Sequence, residues 1–171
     1  MQKLWEGSVH IDAPVDQVFP YLADFYRHPE WDRATLKVEK MKEGDTNGAG
    51  AEWRIHETFQ LFNLSPASAE GSEAKRGTGL VKRVVWEVVP NRKVEWHAHP
   101  IPRLGVTAEY LFRVEPERGG TKVTQQVTFN VPGVLDAVAR VVAKNLDSNL
   151  RQIWPKNLQQ LETVVTRKHS A

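Results

Sequence analysis

The stretch Ser8-Val9-His10-Ile11-Asp12-Ala13-Pro14-Val15-Asp16-Gln17-Val18-Phe19-Pro20-Tyr21-Leu22-Ala23-Asp24, followed shortly by Pro29-Glu30-Trp31-Asp32, decides how the chain is read. Val9 and Ile11 alternate as on a half-buried strand, whereas Val15, Val18, Phe19 and Leu22 recur at helical spacing. Pro14 suits the first turn of a helix, where its missing N–H would lack an intrahelical partner anyway. Pro20 removes one backbone donor and so kinks this helix or marks its last turn. A strand over Leu4–Asp12, a helix over Pro14–Asp24 and a helical turn over Phe25–His28 are therefore expected.

From there to the closing segment the pattern is almost entirely strands. They are read over Arg33–Lys42, Ala51–Phe59, Leu80–Val89, Lys93–His99, Gly105–Glu115 and Thr121–Asn130. Turn-rich runs such as Glu43-Gly44-Asp45-Thr46-Asn47-Gly48, Pro90-Asn91-Arg92 and Glu117-Arg118-Gly119-Gly120 separate several of them, and short turns between strands imply an antiparallel meander. Pro100-Ile101-Pro102 is expected to break the sheet edge. Residues 60–79 show no period and read as a solvated connection or a lid. Between Val134 and about Arg167 a broad apolar stripe, including Leu135, Val138, Leu146, Leu150, Leu158 and Leu161, marks a long helix that Pro155 should bend near Arg151–Trp154. The order is α+β: one curved antiparallel sheet gripping a long C-terminal helix, with two short helices after the first strand.

Composition narrows the function classes. The 171 residues suit one domain, 1–171, with 40% apolar and 26% charged residues, the profile of a globular chain. Cysteine is absent, which excludes disulfides, thiolate metal sites and cysteine nucleophiles. No apolar run reaches the roughly 18–20 residues of a membrane span. Met1-Gln2-Lys3-Leu4-Trp5-Glu6 lacks the apolar core of a secretory signal, so a cytoplasmic location is expected. A net charge of +2 with scattered basic residues does not make the concentrated basic face of a nucleic-acid binder, and no nucleic-acid partner is expected.

The residues Val9-x-Ile11-x-Ala13-Pro14-x-x-x-Val18-Phe19-x-Tyr21-Leu22-x-Asp24 and Pro29-x-Trp31 resemble the opening of START-like helix-grip proteins of the SRPBCC type. That superfamily includes polyketide cyclases/dehydrases, lipid-transfer domains and pollen-allergen-like carriers. Gly48-x-Gly50, Val88-Val89-Pro90-x-Arg92 and Gly119-Gly120-Thr121-x-Val123-Thr124 look like its later landmarks, so the resemblance spans essentially the whole chain. It implies a seven-stranded sheet wrapped around the C-terminal helix with a ligand cavity between them. The superfamily has no shared catalytic set, so the resemblance carries over no catalytic residue.

Strand parity groups Trp53 with Ile55, Trp86 with Val84 and Val88, Trp96 with Val94, and Tyr110 with Phe112 and Val114. If these parities face the terminal helix, large rings line one concave surface, the usual form of a small-molecule site. Glu57 shares parity with Trp53 and Ile55, and Gln125 with Val123 and Val127. A carboxylate or amide on such a face needs a partner, a water or a ligand. Glu57 reads either as a cavity base or anchor, or as a strand-end carboxylate that reaches water. Leu146 and Asn149 are candidate wall residues from the terminal helix. The candidate ligand-binding set is thus Trp53, Glu57, Trp86, Trp96, Tyr110, Phe112, Gln125, Leu146 and Asn149.

His97 and His99 alternate on one strand, but their parity opposes that of Trp96, and a zinc site needs further ligands. No metal and no cofactor is expected. No serine lies in a Gly-x-Ser-x-Gly elbow, and neither Gly48-Ala49-Gly50 nor Gly77-Thr78-Gly79 has the strand–loop–helix context of a phosphate site. The residues favour a binding module for a small hydrophobic or aromatic ligand, a carrier or sensor. A cyclase/dehydrase-like enzyme with a cavity acid/base is the alternative, and lipid or quinone transfer at a membrane surface, helped by apolar residues 61–64, is the third. Neither the ligand nor the oligomeric state is written in the sequence.

Overall fold

The computed structural model describes residues 2–58, 78–101, 105–132 and 153–168. Seven strands, β1 (Gln2–Ile11), β2 (Thr35–Lys42), β3 (Glu52–Thr58), β4 (Thr78–Val89), β5 (Lys93–Ile101), β6 (Val106–Glu117) and β7 (Gly120–Asn130), form one sheet. Its order is β1-β7-β6-β5-β4-β3-β2, and every neighbouring pair is antiparallel. Strands β2 to β7 thus follow one another as a meander, while β1 closes on β7. The chain crosses from β1 at one edge to β2 at the other through α1 (Val15–Ala23), a 3₁₀ turn (Phe25–Arg27) and α2 (His28–Trp31). A third helix, α3, covers residues 153–168. The expected long helix from Val134 is described only over this last part, which runs through Pro155; Leu146, Asn149 and the first half of the presumed bend near Arg151–Trp154 lie outside the described residues.

Local chemistry explains the joints. Arg118 and Gly119 both take positive φ, 51° and 81°, between the paired residues Glu117 and Gly120. That is the two-residue turn whose twist matches flanking antiparallel strands. Pro20 opens the last turn of α1, where its carbonyl accepts the Asp24 N–H at 3.0 Å. The Asp24 side chain then caps the 3₁₀ turn by accepting from Tyr26 N at 3.0 Å. Pro100 does not end β5 as expected: the strand runs on to Ile101, and a register shift between Ala98 and Ile101 accommodates it. A bulge tolerates a residue with no N–H where a regular ladder does not.

Further register shifts occur between Thr35 and Lys37, Lys40 and Lys42, and Val85 and Glu87. Each bulge bends its strand and adds twist, which curves the sheet. The concave face carries the core: Trp53 and Ile55, Val81 and Val85, Val94, Trp96 and Ala98, Ala108, Tyr110, Phe112 and Val114, Val123, Val127 and Phe129 are all buried. Phe19, Leu22, Phe25 and Trp31 cover it from the short helices, and Trp154, Leu158, Leu161 and Val165 from α3. Burying one such side chain stabilises the fold by about 1.5–3 kcal/mol relative to exposure.

Candidate functional site

Strand alternation sends Glu57 of β3 and Arg83 of β4 onto the same concave face as the aromatic core. Glu57 follows Trp53 and Ile55 at period two, and Arg83 sits between Val81 and Val85. Arg83 is only 3% exposed. Its Nη2 donates to Glu57 Oε1 and lies 3.6 Å from Asp32 Oδ2. Asp32 closes α2 and is itself held tightly: its Oδ2 accepts from Thr35 Oγ1 at 2.8 Å, and its Oδ1 from Asn157 Nδ2 at 2.9 Å and Ala34 N at 3.2 Å. Asn157 Oδ1 accepts from Arg33 N at 3.4 Å. One buried network therefore ties β3, β4, the α2–β2 junction and α3 together.

Aromatic rings form the wall beside it. The Arg83 guanidinium lies 5.5 Å from the centre of the Tyr110 ring and 6.0 Å from that of Trp96. Trp96 stacks on Phe112 at 5.0 Å and on Tyr110 at 5.7 Å, and Trp154 meets the Tyr110 ring edge-on at 5.6 Å. On the other side Phe25 stacks on Trp53 at 5.1 Å and on His28 at 4.2 Å. His28 Nε2 donates to Leu22 O at 3.1 Å, and Trp31 Nε1 to Tyr21 O at 2.9 Å. Among the described residues, Arg83 Nε, Trp96 Nε1, Trp154 Nε1, Gln125 Oε1 and His28 Nδ1 are buried without a hydrogen-bond partner.

Burial and charge set the protonation states. Burial raises the Glu57 pKa; Arg83 opposes this, and the nearby Asp32 charge reinforces it. For Arg83, burial works against the charge, but Glu57 and Asp32 outweigh it and hold the guanidinium more firmly protonated than usual. Burial lowers the His28 pKa from 6.5 to about 4, helped by Arg83, so the ring is neutral near pH 7. Burial likewise raises the Tyr110 pKa, so it is a neutral phenol there. A raised carboxylic acid beside a guanidinium and a phenol is able to hold or move a proton and to hydrogen-bond a carbonyl or hydroxyl oxygen.

Of the residues singled out by sequence, Trp53, Glu57, Trp96, Tyr110, Phe112 and Gln125 lie on the concave face. Glu57 is not a strand-end carboxylate reaching water; it is buried and held by Arg83. Trp86 is a correction: it is 64% exposed on the opposite face, stacked on His97 at 4.7 Å. Val81, Arg83 and Val85 take the inward parity, and the bulge after Val85 returns Val88, but not Trp86, to the core side. His97 and His99 lie on the outer face as expected, His97 Nε2 bonding Glu95 Oε1 at 3.1 Å. Leu146 and Asn149 lie outside the described residues. Arg83, Asp32, His28 and Asn157 were not singled out, although the Val81–Arg83–Val85 alternation was an available signal for Arg83.

An open cleft of about 640 Å³ lies elsewhere, where Val15 at the start of α1 meets Val89–Lys93 and Arg113–Pro116. The pocket expected between the sheet and the terminal helix from Val134 to about Arg167 involves residues 134–152, which lie outside the described residues.

The model of a family described as polyketide cyclase / dehydrase and lipid transport matches residues 4–154. Among solved structures the chain is similar to the Zhui aromatase/cyclase from Streptomyces sp. R1128, with 17% identity, a TM-score of 0.70, and coverage of 98% of this chain and 96% of that one. The di-domain ARO/CYC StfQ from the steffimycin biosynthetic pathway matches at 12% identity and a TM-score of 0.74; all of this chain is covered, but only 53% of that one. Ara h 8.0201 matches at 14% identity and a TM-score of 0.66, over 98% of this chain and 99% of that one. At these identities the likeness is one of fold. No curated protein sequence matches the chain.

Proposed function

The chain belongs to the polyketide cyclase / dehydrase and lipid transport family, and from that premise we propose that it encloses a small hydrophobic or aromatic ligand against its concave face, as a carrier or sensor. The observation that carries this reading is the set of orphaned polar atoms in an apolar wall. Arg83 Nε, Trp96 Nε1 and Gln125 Oε1 are buried beside Tyr110, Phe112 and Trp53 without a hydrogen-bond partner among the described residues. Buried polar atoms are rarely left unmatched, because each costs about 1–3 kcal/mol of lost hydration. A ligand oxygen seated among the rings would accept from Arg83 Nε or Trp96 Nε1, and a ligand hydroxyl would also donate to Gln125 Oε1. Gentle-ionisation mass spectrometry of the purified protein tests this: a small molecule that travels with the folded chain and is lost on denaturation is the expected result. A bare chain that also takes up no apolar probe in solution would refute it.

A second reading, a cyclase/dehydrase-like enzyme, is favoured by Glu57, whose raised pKa suits proton transfer. Glu57 is then the acid/base, and Arg83 and Tyr110 orient the substrate oxygen. In that case Glu57→Gln lowers turnover by about 10²-fold or more while the ligand still binds. If Glu57 only anchors a ligand, the same change weakens affinity by about 1–3 kcal/mol and leaves no turnover to lose. Lipid or quinone transfer rests on residues 61–64, which lie outside the described residues. No described helix is long and apolar enough to cross a membrane.

A further inference from the structure

The buried network has an uneven charge. Among the described residues, the buried side chains able to carry charge, tyrosines aside, are Arg83, Glu57, Asp32 and His28. His28 donates through Nε2 to Leu22 O, and its Nδ1 has no proton acceptor to hold a second proton in place. Above the raised pKa of Glu57, that leaves one guanidinium facing two carboxylates. Its Nη2 is already shared between Glu57 Oε1 and Asp32 Oδ2. Asp32 is also not free to swing aside, because Thr35, Ala34 and Asn157 all donate to it. Lys40, whose Nζ lies 5.1 Å from the Trp53 ring centre, is outside this buried set and is paired with Glu43.

We propose that this interior selects its ligand by charge: it takes neutral apolar molecules bearing a carbonyl or hydroxyl and rejects carboxylates and other anions, with Glu57 and Asp32 as the specificity-determining residues. The inference rests on the ligand-binding reading above and names the class of ligand. A lone buried arginine is a natural anchor for an acidic head group. Here the arginine's charge is spent on the protein's own carboxylates. Among the described residues no further buried cation is present, so an incoming carboxylate becomes the third anion around one guanidinium, the least favourable form of burial. A neutral oxygen needs only one hydrogen bond, and Arg83 Nε is a donor with no partner among the described residues.

The test is displacement of a neutral fluorescent probe, N-phenylnaphthylamine, by dodecanol and by laurate at mildly alkaline pH, on wild type, Glu57→Gln and Asp32→Asn. The readout is the ratio of the two dissociation constants, since any apolar site prefers the alcohol to some degree. Dodecanol is expected to outcompete laurate in the wild type. The ratio should shrink by about tenfold in each variant, because each removes one surplus negative charge. Arg83→Gln should move the ratio the other way. Circular dichroism and retained probe binding show which variants are folded, and one folded carboxylate variant suffices. A ratio unchanged in the folded variants, or laurate binding wild type as tightly as dodecanol, overturns the charge rule and leaves the ligand-binding reading intact. Failure of probe and both competitors to bind folded wild type overturns that reading, and the charge rule with it.

Discussion

Trp96 and Trp86 sit on adjacent strands of one sheet, yet one is 1% exposed and the other 64%. They mark its two faces. On the outer face, charged residues are paired but wet: Lys82 meets Glu52 at 2.6 Å, Lys37 meets Glu39 at 2.7 Å, and Lys93 lies between Glu87 and Glu95. Such pairs are screened by water and salt, and each adds little to stability. On the inner face one guanidinium and two carboxylates are shut in with aromatic rings. The same chemistry is high-stakes there, because a partner once lost is not replaced by water. The comparison teaches that distance alone does not rank these ion pairs; burial does.

The largest expected effect comes from breaking the inner cluster at its hub. Arg83→Met keeps much of the side chain's length and leaves Glu57 and Asp32 facing each other without a cation. Loss of one partner from a buried ion pair destabilises by about 3–5 kcal/mol. Urea unfolding near neutral pH should show that loss, and acidification should partly restore stability as the stranded carboxylates take up protons. A loss no greater than that of an outer-face lysine variant would erase the distinction between the faces.

Next comes the pH dependence of His28. Burial, with Arg83 nearby, lowers its pKa from 6.5 to about 4, and Asp32 opposes the shift. Between those values the unfolded chain binds a proton that the folded chain does not. Its contribution is therefore complete above pH 6.5 and is lost as the pH falls through the folded value, a swing of about 3 kcal/mol. Glu57 works in the opposite sense: its pKa is raised, so its contribution is lost as pH rises through its folded value. The difference between wild type and His28→Gln, measured by unfolding across pH 4–7, isolates the histidine. Parallel stability curves for the two proteins would show that burial does not shift the titration of His28.

The difference between the faces also decides what was legible in the sequence. Alternation placed Trp53, Glu57, Trp96 and Gln125 inward because β3, β5 and β7 keep their period through those positions. Turn chemistry at Arg118-Gly119 and Pro90-Asn91-Arg92 marked the hairpins. Trp86 was misplaced because the bulge after Val85 breaks the period, and a bulge has no local residue signature there. Asp32, His28 and Asn157 were missed for another reason: their partners lie on other elements, up to 125 residues away in the chain, and no local period encodes such a meeting.

A smaller effect is expected at Asn157. Asn157→Leu preserves bulk but removes the donor to Asp32 Oδ1 and the acceptor for Arg33 N. Asp32 keeps its bonds from Thr35 and Ala34, so the loss should be about 1–2 kcal/mol, within the range for a buried group deprived of one partner. A double-mutant cycle with Asp32→Asn should show that the two changes are not additive. Strict additivity would mean the bond from α3 contributes nothing to the network.

The smallest effect belongs to Trp86, the largest ring on the outer face. Its ring stacks in parallel on His97, with planes 6° apart, and most of its surface is already in water. Replacing it with threonine keeps a good strand former in the same place. The change removes little buried apolar area and leaves no polar group stranded, so stability should move by no more than about 0.5 kcal/mol, as for ordinary surface positions. Urea unfolding should give an unchanged slope and nearly the same midpoint, and binding of an apolar probe to the inner face should be unaffected. Trp96→Ala provides the contrast, since it opens a cavity among Tyr110, Phe112 and Phe25 and should cost about 3–5 kcal/mol. Should Trp86→Thr instead cost as much as Trp96→Ala, the outer ring is buried against something in solution, and the two faces are not the opposites drawn above.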